Sequence, residues 1–187
     1  NPYIIATAEQ LAFLAQEINS GKDCADKFFS LRADLDMNDI EWTPIGTALH
    51  SFKGAFNGNH HTIRNLKITQ GAHDNQSNAS GLFGHCTDAH IKDLRLDNVE
   101  IVLQSASNVE RVFAGALSGM IQVDAAVEIS NIIISNTRIA ATPQVNSARS
   151  LHVGGVCGYV TAKKGADTFA SKLQSDVTVS LEEGEAR

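Results

Sequence analysis

Apolar and polar residues alternate in three short segments of this chain, and the three segments share one pattern. The pattern occurs at residues 63–68 (IRNLKI), 91–96 (IKDLRL) and 129–134 (ISNIII), with starting points 28 and 38 residues apart. Alternation with a period of two, as at Leu94 and Leu96, predicts β-strands that turn one side inward. Repetition at such intervals is typical of solenoids, in which each repeat buries its apolar face against its neighbours.

A second motif of two small or apolar residues, a variable residue and glycine recurs in step with the first. It occurs at residues 81–84 (GLFG), 116–119 (ALSG) and 155–158 (GVCG), and its final glycines are 35 and 39 residues apart. Each unit therefore reads as a glycine-containing strand, a turn and an isoleucine-rich strand. The strands are not separated by Asn-Gly or Asp-Gly hairpin sequences, which favours coils stacked in parallel over antiparallel hairpins.

Polar residues recur at fixed places within the repeats. The first predicted row contains Asn65, Asp93 and Asn131 and continues to Asp176, and Asn98 and Asn136 form a second equivalent pair. In a parallel stack such side chains lie about 4.8 Å apart and can bond to one another and to turn backbone. A row of ligand-binding groups is the alternative, but turn chemistry favours a structural ladder.

The first 27 residues predict a separate element, a helical cap. Thr7 and Gln10 form a capping-box pattern, and Gly21 supplies a stop after about three helical turns. The apolar residues on one face of this helix are Leu11, Leu14, Ala15 and Ile18. A solenoid end needs such cover because it would otherwise expose apolar core and strand edges. Alternation at residues 29–35 predicts the first strand of the solenoid after the cap.

Four segments of the chain resemble GLUG-motif proteins, a family of secreted or surface-bound bacterial proteins. The segments are residues 31–37 (LRADLDM), 42–46 (WTPIG), 52–63 (FKGAFNGNHHTI) and 80–84 (SGLFG). The resemblance covers most of residues 3–140, and the later glycine motifs depart from the family pattern. It implies a right-handed β-helix and an extracellular or bacterial cell-surface location.

The predicted fold class is therefore all-β, a right-handed parallel β-helix with an N-terminal amphipathic helix cap. Residues 1–27 form the cap, and residues 28–187 form four to five irregular coils of one continuous domain. We expect this domain to belong to a larger protein. The chain begins at Asn1 and contains no signal peptide of its own.

Charge and hydropathy exclude two classes of partner. The 187 residues carry a formal net charge of −6 and contain no basic cluster, which argues against nucleic acid. No apolar run approaches the roughly 18 residues that span a bilayer, so membrane insertion is not expected.

The residues that could hold a metal do not form a complete set. Cys24, Cys86 and Cys157 are odd in number, and we expect three free thiols. His85 and His90 flank Cys86, but two histidines and one cysteine lack a fourth zinc ligand. The sequence therefore predicts neither a metal nor a cofactor.

Residues 34–39 (DLDMND) imitate the start of a calcium loop. Asp39 and Ile45 stand where an EF-hand needs glycine and glutamate, so that motif is incomplete. An acidic solvent face on a strand is the favoured interpretation. A weak surface cation at Asp34 and Asp36 is left open.

Catalytic residues are not recognisable in the sequence. Asp88, Asp93 and Asp97 belong to one unit, but the neighbouring unit has no matching acidic column of the kind that polysaccharide-cleaving enzymes use. The zinc-protease sequence His-Glu-x-x-His is also absent, although GLUG units occur beside metalloendopeptidases that cleave immunoglobulin A. We therefore expect a non-catalytic domain.

Three insertions predict the binding surface. Residues 70–79, 104–111 and 140–151 each follow an isoleucine-rich strand and precede a glycine strand, so they should emerge from one edge of the solenoid. The candidate ligand-binding residues in these loops are Asn75, Asn78, Asn108, Arg111, Asn146 and Arg149. The alternative is that they are ordinary connecting loops.

The function that these observations favour is a non-catalytic extracellular adhesion or interaction module of a bacterial protein. Its partner would be a host or cell-surface protein or a glycan. The alternative is a structural spacer or accessory domain of a larger secreted hydrolase, either IgA-protease-like or polysaccharide-acting, and a pectate-lyase-like enzyme comes third. Val177 and Val179 resemble the start of another coil, so either more coils follow in a longer protein, or residues 163–172 fold over the end of the core, or two chains pair there. The favoured alternative is a longer protein in which residues 163–172 are a partial cover. End-to-end self-association is a further expectation there.

Overall fold

A computed structural model describes residues 1–70, 79–103, 111–141 and 150–181. These residues are mostly β-strand, and one helix is found among them. Every strand pair in this part of the chain is parallel. Within the same ranges no helix has the length and apolar character needed to cross a membrane.

The predicted N-terminal helix, α1, extends over Ala8–Asn19. The N–H of Gln10 donates to Oγ1 of Thr7 at 3.3 Å, and Oε1 of Gln10 accepts from the N–H of Ala6 at 2.7 Å. The helix is followed by Gly21 with φ +102°, a value that glycine adopts without strain. The buried side chains of α1 are Leu11, Leu14, Ala15 and Ile18. The prediction of an amphipathic helix with these boundaries is confirmed.

The region around α1 also contains a strand that the sequence pattern does not predict. Strand β1 (Tyr3–Ile5) pairs with β2 (Phe28–Leu31), so the first residues of the chain belong to a sheet. The prediction of a single strand at residues 29–35 is wrong in its bounds. The chain breaks after β2 and resumes as β3 (Leu35–Asp36).

The remaining strands follow in chain order. They are β4 Ala55–Asn57, β5 Thr62–Arg64, β6 Lys67–Gln70, β7 Ala79–Ser80, β8 Phe83–Thr87, β9 His90–Asp97, β10 Glu100–Leu103, β11 Arg111–Gly115, β12 Ser118–Val123, β13 Ala126–Ala141, β14 Ser150–Gly154, β15 Cys157–Ala162 and β16 Asp167–Leu181.

The strands form three parallel sheets. The largest has the order β1-β2-β4-β9-β13-β10-β6, with β16 on β13 and with β5 between β3 and β9. The second sheet is β14-β11-β7, and the third is β15-β12-β8. Neighbours in each sheet therefore come from successive repeats, as the periodicity predicts.

The repeated glycines allow two sheets to approach closely. Gly84, Gly119 and Gly158 lie opposite one another on β8, β12 and β15. A Cβ atom on Gly119 would lie 2.5 Å from the backbone nitrogen of Ser80, and one on Gly158 would lie 2.5 Å from that of Ala114. A side chain at Gly119 or Gly158 would therefore collide with backbone of the second sheet. The glycines thus recur in the sequence because the close packing of the two sheets leaves no room for a side chain.

One register prediction is wrong. The sequence pattern aligns Ile63 with Ile91, but Ile63 lies opposite Leu96, while Phe56 lies opposite Ile91. Each full repeat has two turns about five residues apart, and both turns carry asparagine or aspartate. A local pattern cannot tell which of the two turns an isolated segment matches. Asn65 therefore falls in the second row.

The two polar rows occupy left-handed backbone positions. The first contains Asn59, Asp93, Asn131 and Lys172, with φ from 49° to 53°, and the second contains Asn38, Asn65, Asn98 and Asn136, with φ from 49° to 57°. Asp176 does not continue the first row, because Lys172 follows Asn131 in register. Nδ2 of Asn131 donates to Oδ1 of Asp93 at 2.7 Å, and Nδ2 of Asn98 donates to Oδ1 of Asn65 at 2.7 Å. These bonds support the interpretation as a turn ladder.

Apolar side chains between the sheets form one core. Phenylalanine rings link its layers, with centroids 4.9 Å apart for Phe52 and Phe83 and 5.5 Å apart for Phe56 and Phe83. The side chains of α1 join the same cluster at its amino end. The buried face of the helix is therefore part of this core, and its role as a cap stays a prediction.

The carboxyl end of the core is not covered among the described residues. Val160, Leu173 and Val179 are 53%, 40% and 52% exposed, although their partners on the preceding strands are fully buried. The prediction that residues 163–172 fold over this end is wrong. The segment makes a turn and enters β16, which extends the large sheet by pairing with β13.

Candidate functional site

The strands that border the three insertions lie side by side. Leu103, at the end of β10, lies opposite both Gln70 and Ala141, where the neighbouring strands β6 and β13 end. On the returning side, Phe113 lies opposite Ala79, and the first residues of β11 and β14 oppose each other. The three connections therefore leave from adjacent strands and return to adjacent strands. Their anchors define one edge, which we call the loop edge.

Only one of the six predicted binding residues lies within the described chain. Arg111 is the exposed first residue of β11 and stands opposite Ser150 on β14. The other five lie outside the described residues, and their assignment stays a prediction; they are Asn75, Asn78, Asn108, Asn146 and Arg149.

An aromatic cluster that sequence reasoning missed lies beside the anchors. The rings of Phe113 and His152 stack with centroids 5.3 Å apart, and Tyr159 lies 5.2 Å from Phe113 and 5.1 Å from His152. Phe113 is buried but lies outside the main core. Phe113 and His152 are 39 residues apart, the same interval as the last two glycine motifs. Applying that interval to every aromatic residue would have found the pair.

The side chains of this cluster are of the kind that bind ligands. Phe113 contacts the half-buried rings of His152 and Tyr159. Each of these two rings has both an apolar face and a hydrogen-bonding group. Tyr159 also shares a column with Met120 and His85 on the preceding strands of the third sheet. Nε2 of His85 is buried without a hydrogen bond, and burial lowers the pKa of this imidazole. His85 is therefore neutral at pH 7 and adds no charge beside the cluster.

Asp34 and Asp36, the acidic residues that imitate a calcium loop, accept hydrogen bonds from other groups of the protein. Oδ1 of Asp34 accepts from the N–H of Thr62 at 3.0 Å and lies 3.1 Å from Nδ1 of His61. Asp36 accepts from Nε of Arg64 at 2.9 Å and from two amide groups of neighbouring turns. These bonds join β3 to the next strand. They give both carboxylates a structural role.

The carboxylates considered for catalysis also hold turns together. Oδ1 of Asp88 accepts from the backbone N–H groups of residues 124–126 at 2.9 to 3.2 Å. Asp93 accepts from Asn131, and Asp97 accepts from two side chains of the next turn. Each carboxylate therefore bridges successive repeats.

The three cysteines are unbridged thiols, as predicted. Burial raises the pKa of Cys86 strongly and raises the pKa of Cys157 to about 11, so both stay protonated at neutral pH. Across the described ranges no group of three or more His, Cys, Asp and Glu side chains could hold a metal ion.

Neither a family model, nor a curated protein, nor a solved structure matches this chain. The likeness to GLUG-motif proteins therefore stays a hypothesis carried by the sequence segments themselves.

Proposed function

We propose that the described sheets are the faces of a right-handed parallel β-helix capped by α1. The order of the strands supports this proposal, since β7–β9, β11–β13 and β14–β16 each visit the second, third and first sheet in the same sequence. A chain that returns to the same sheet one strand further along must wind as a coil. Right-handed winding is the rule for connections between parallel strands.

On this scaffold the chain acts as a non-catalytic extracellular adhesion or interaction module of a bacterial surface or secreted protein. The observation that carries the proposal is the stacking of the loop anchors at one edge. Adjacent strands are about 4.8 Å apart, so three connections are held within roughly 10 Å along the stack. Loops collected on one edge of a repeat protein form its usual binding surface.

The aromatic cluster gives this edge a place for a protein or glycan partner. Tyrosine is enriched in binding hot spots because its ring offers apolar area together with a hydroxyl group. The half-buried rings of His152 and Tyr159 lie next to the anchors of β11 and β14. A ligand held by the loops would thus meet a rigid aromatic surface.

The non-catalytic part of the proposal rests on what the carboxylates do. Asp88, Asp93 and Asp97 accept hydrogen bonds from the following repeat. Carboxylates committed in this way brace the fold and are poorly placed to exchange protons with a substrate. Extracellular location is inferred from the resemblance to GLUG-motif proteins.

A second candidate function is a spacer or accessory domain of a larger secreted hydrolase. The uncovered side chains of Val160, Leu173 and Val179 favour it, since they offer apolar surface to a neighbouring domain. The two functions differ in whether the loop edge binds a partner directly.

Replacing the insertions tests the proposal. Residues 71–78, 104–110 and 142–149 would each be exchanged for a Gly/Ser segment of equal length. Binding would be measured by biolayer interferometry on immobilised mucin, fibronectin and collagen and on a glycan array. We expect the parent chain to bind at least one surface and the triple replacement to bind it at least about tenfold more weakly.

The control is Leu49→Ser, a change at an exposed residue outside the loop edge. Circular dichroism would establish that every variant keeps its β content. Failure of the parent chain to bind any surface, or equal binding after the triple replacement, would refute the interaction module and leave the spacer function.

A further inference from the structure

A short loop is inserted into the third sheet beside β8. The carbonyl of Gly46 accepts from the N–H of His85 at 3.1 Å, and the N–H of Phe52 donates to the carbonyl of His85 at 2.9 Å. In an uninterrupted parallel ladder these two partners would flank a single residue. Residues 47–51 stand in the place of that residue. We call these residues the rung loop.

The rung loop is closed by its own turn and rests on the end of α1. The N–H of Thr47 donates to the carbonyl of His50 at 2.9 Å, and the N–H of His50 donates to Oγ1 of Thr47 at 3.1 Å. A Cβ atom on Gly21 would lie 3.2 Å from the imidazole of His50, so this ring packs on the glycine that follows α1. Oδ1 of Asn19, the last residue of α1, accepts from the N–H of Gly46 at 2.8 Å. The loop therefore connects the end of α1 with β8.

The imidazole of His85 lies in a column between the rung loop and Met120 of β12. Neighbouring places in such a column are about 4.8 Å apart. The Nε2 atom of His85 is buried and has no hydrogen-bond partner among the described residues. A buried polar atom without a partner is costly even when the ring is neutral, and a buried charge costs far more. The closed loop therefore suits only the neutral imidazole.

Within the described residues, the groups around His85 provide no carboxylate that could pair with an imidazolium. The rung loop contributes His50 as its one titratable side chain, and Lys53 follows soon after the loop. Met120 faces His85 from β12 and carries no charge. On β8 and the turn after it the nearest acid is Asp88, whose Oδ1 accepts from three backbone N–H groups. Burial lowers the pKa of His85 below 6.5, and no opposing cause acts on it there.

We propose that protonation of His85 opens the rung loop, which makes the connection between α1 and the third sheet sensitive to acid. An imidazolium has two N–H donors, and the closed position gives the buried one neither water nor an acceptor. Opening separates Gly46 and Phe52 from the backbone of His85 and lets water reach the ring. Because the pKa is lower in the closed state, that state is favoured above pH 6.5, and opening increases as the pH falls below this value.

The open loop would expose apolar side chains that are buried in the closed form. Ile45 and Phe52 border the loop and are fully buried. The ring of Phe52 lies 4.9 Å from that of Phe83 and 5.9 Å from that of Phe29, measured between centroids. At the tip of the loop Leu49 is already 75% exposed. The acid form therefore presents an apolar surface that is absent at neutral pH.

Hydrogen exchange measured by mass spectrometry at about pH 7.5 and about pH 5.5 would test the proposal. The protected amides of this region are those of Gly46, Thr47, His50 and Phe52. After correction for the intrinsic chemical rate, we expect residues 46–52 to exchange at least about tenfold faster at the lower pH. Strands β9 and β13 should show no such increase.

Two variants remove the titrating group. His85→Gln keeps a polar side chain that takes up no proton in this range, and His85→Phe fills the place with an apolar ring. In both variants residues 46–52 should exchange equally at the two pH values. NMR would follow the His85 ring protons, identified by their loss in the variants. The midpoint of their titration should lie below 6.5 and coincide with the rise in exchange.

The matched control is His90→Gln, which removes a half-exposed imidazole from β9. It should keep the full acid response of the parent chain. The carboxylates of the turns do not interfere, because ordinary carboxyl groups protonate near pH 4, below the range of the measurement.

Three results would overturn the proposal. They are equal exchange of residues 46–52 at both pH values in the parent chain, an acid response that persists in both His85 variants, and titration of His85 without faster exchange of the loop. The last would mean that the ring turns toward water while the loop stays closed. The insertions are unchanged in every variant, so the test is independent of binding at the loop edge.

Discussion

At the scale of single residues, the turns of this protein depend on asparagine and aspartate. Twelve non-glycine residues among those described have positive φ, and all except His60 and Lys172 are Asn or Asp. The left-handed conformation costs other residues roughly 1–2 kcal/mol, which their short polar side chains offset by local hydrogen bonds. The same side chains then link neighbouring repeats.

Asn98→Ala should therefore destabilise the chain in two ways. It removes the 2.7 Å bond to Asn65 and places alanine at φ 52°. We expect a loss of about 1–3 kcal/mol in the free energy of unfolding, measured by urea denaturation. Asn98→Gly removes the bond but tolerates the backbone angle, so it should lose less. Equal stability of Asn98→Ala and the parent would contradict the ladder.

The carboxylates of the turns make stability depend on pH. The backbone N–H of Asn38, then the Asn65 side chain and Arg64, lower the pKa of Asp36. The folded-state pKa lies below the unfolded value near 4, so this contribution is present above pH 4 and is lost as the pH falls through the folded-state pKa. The melting temperature should fall steadily below pH 4. Asp36→Asn should flatten part of that fall, and an unchanged pH profile would refute the role of Asp36.

At the scale of elements, α1 forms because of a local sequence pattern, but its position depends on packing against the core. Its capping residues and its apolar face all come from the continuous segment 7–20. Its position is set by the core, since the side chains it buries belong to the main apolar cluster. We expect the helix to remove from water an end of the core that the strands alone leave open.

Leu14→Asp tests that role. Leu14 is buried, and a carboxylate there would lie unpaired against the core, so we expect the free energy of unfolding to fall by about 3 kcal/mol or more. Thermal unfolding followed by circular dichroism is the measurement. The neighbouring residue Phe13 is exposed, and Phe13→Asp should melt close to the parent. If both variants melt like the parent, α1 does not cover the core.

At the scale of the whole molecule, the two ends of the core differ. The buried side chains of α1 belong to the core near its amino end, whereas Val160, Leu173 and Val179 are exposed at the other end. Among the described residues, the last strands β14, β15 and β16 are each paired on one side only. Apolar surface beside free strand edges promotes association between copies.

We therefore expect reversible self-association at high protein concentration, measured by sedimentation velocity. Leu173→Lys should shift the chain toward monomer, because it places a charge on the exposed end and blunts the edge of β16. Leu49→Lys adds the same charge at an exposed site elsewhere and should leave the association unchanged. A parent chain that stays monomeric at every concentration would rule out this interface.

Part of the candidate surfaces could be read from the sequence. The positions of the insertions, between isoleucine-rich and glycine strands, indicate a common edge. The strand ends that border the insertions do lie side by side. The aromatic cluster was missed because Phe113 and Tyr159 meet only when β11 packs beside β15.

The sequence by itself determined the elements whose physics is local. Helix capping, alternation in strands, glycines at close backbone contacts and Asn or Asp at left-handed turns each depend on residues within a few positions of one another. The tertiary structure alone decided the pairing of Ile63 with Leu96, the addition of β1 to the large sheet and the extension of that sheet by β16. Register depends on the lengths of all intervening turns and on which apolar faces can be buried together, and neither quantity is carried by any single segment.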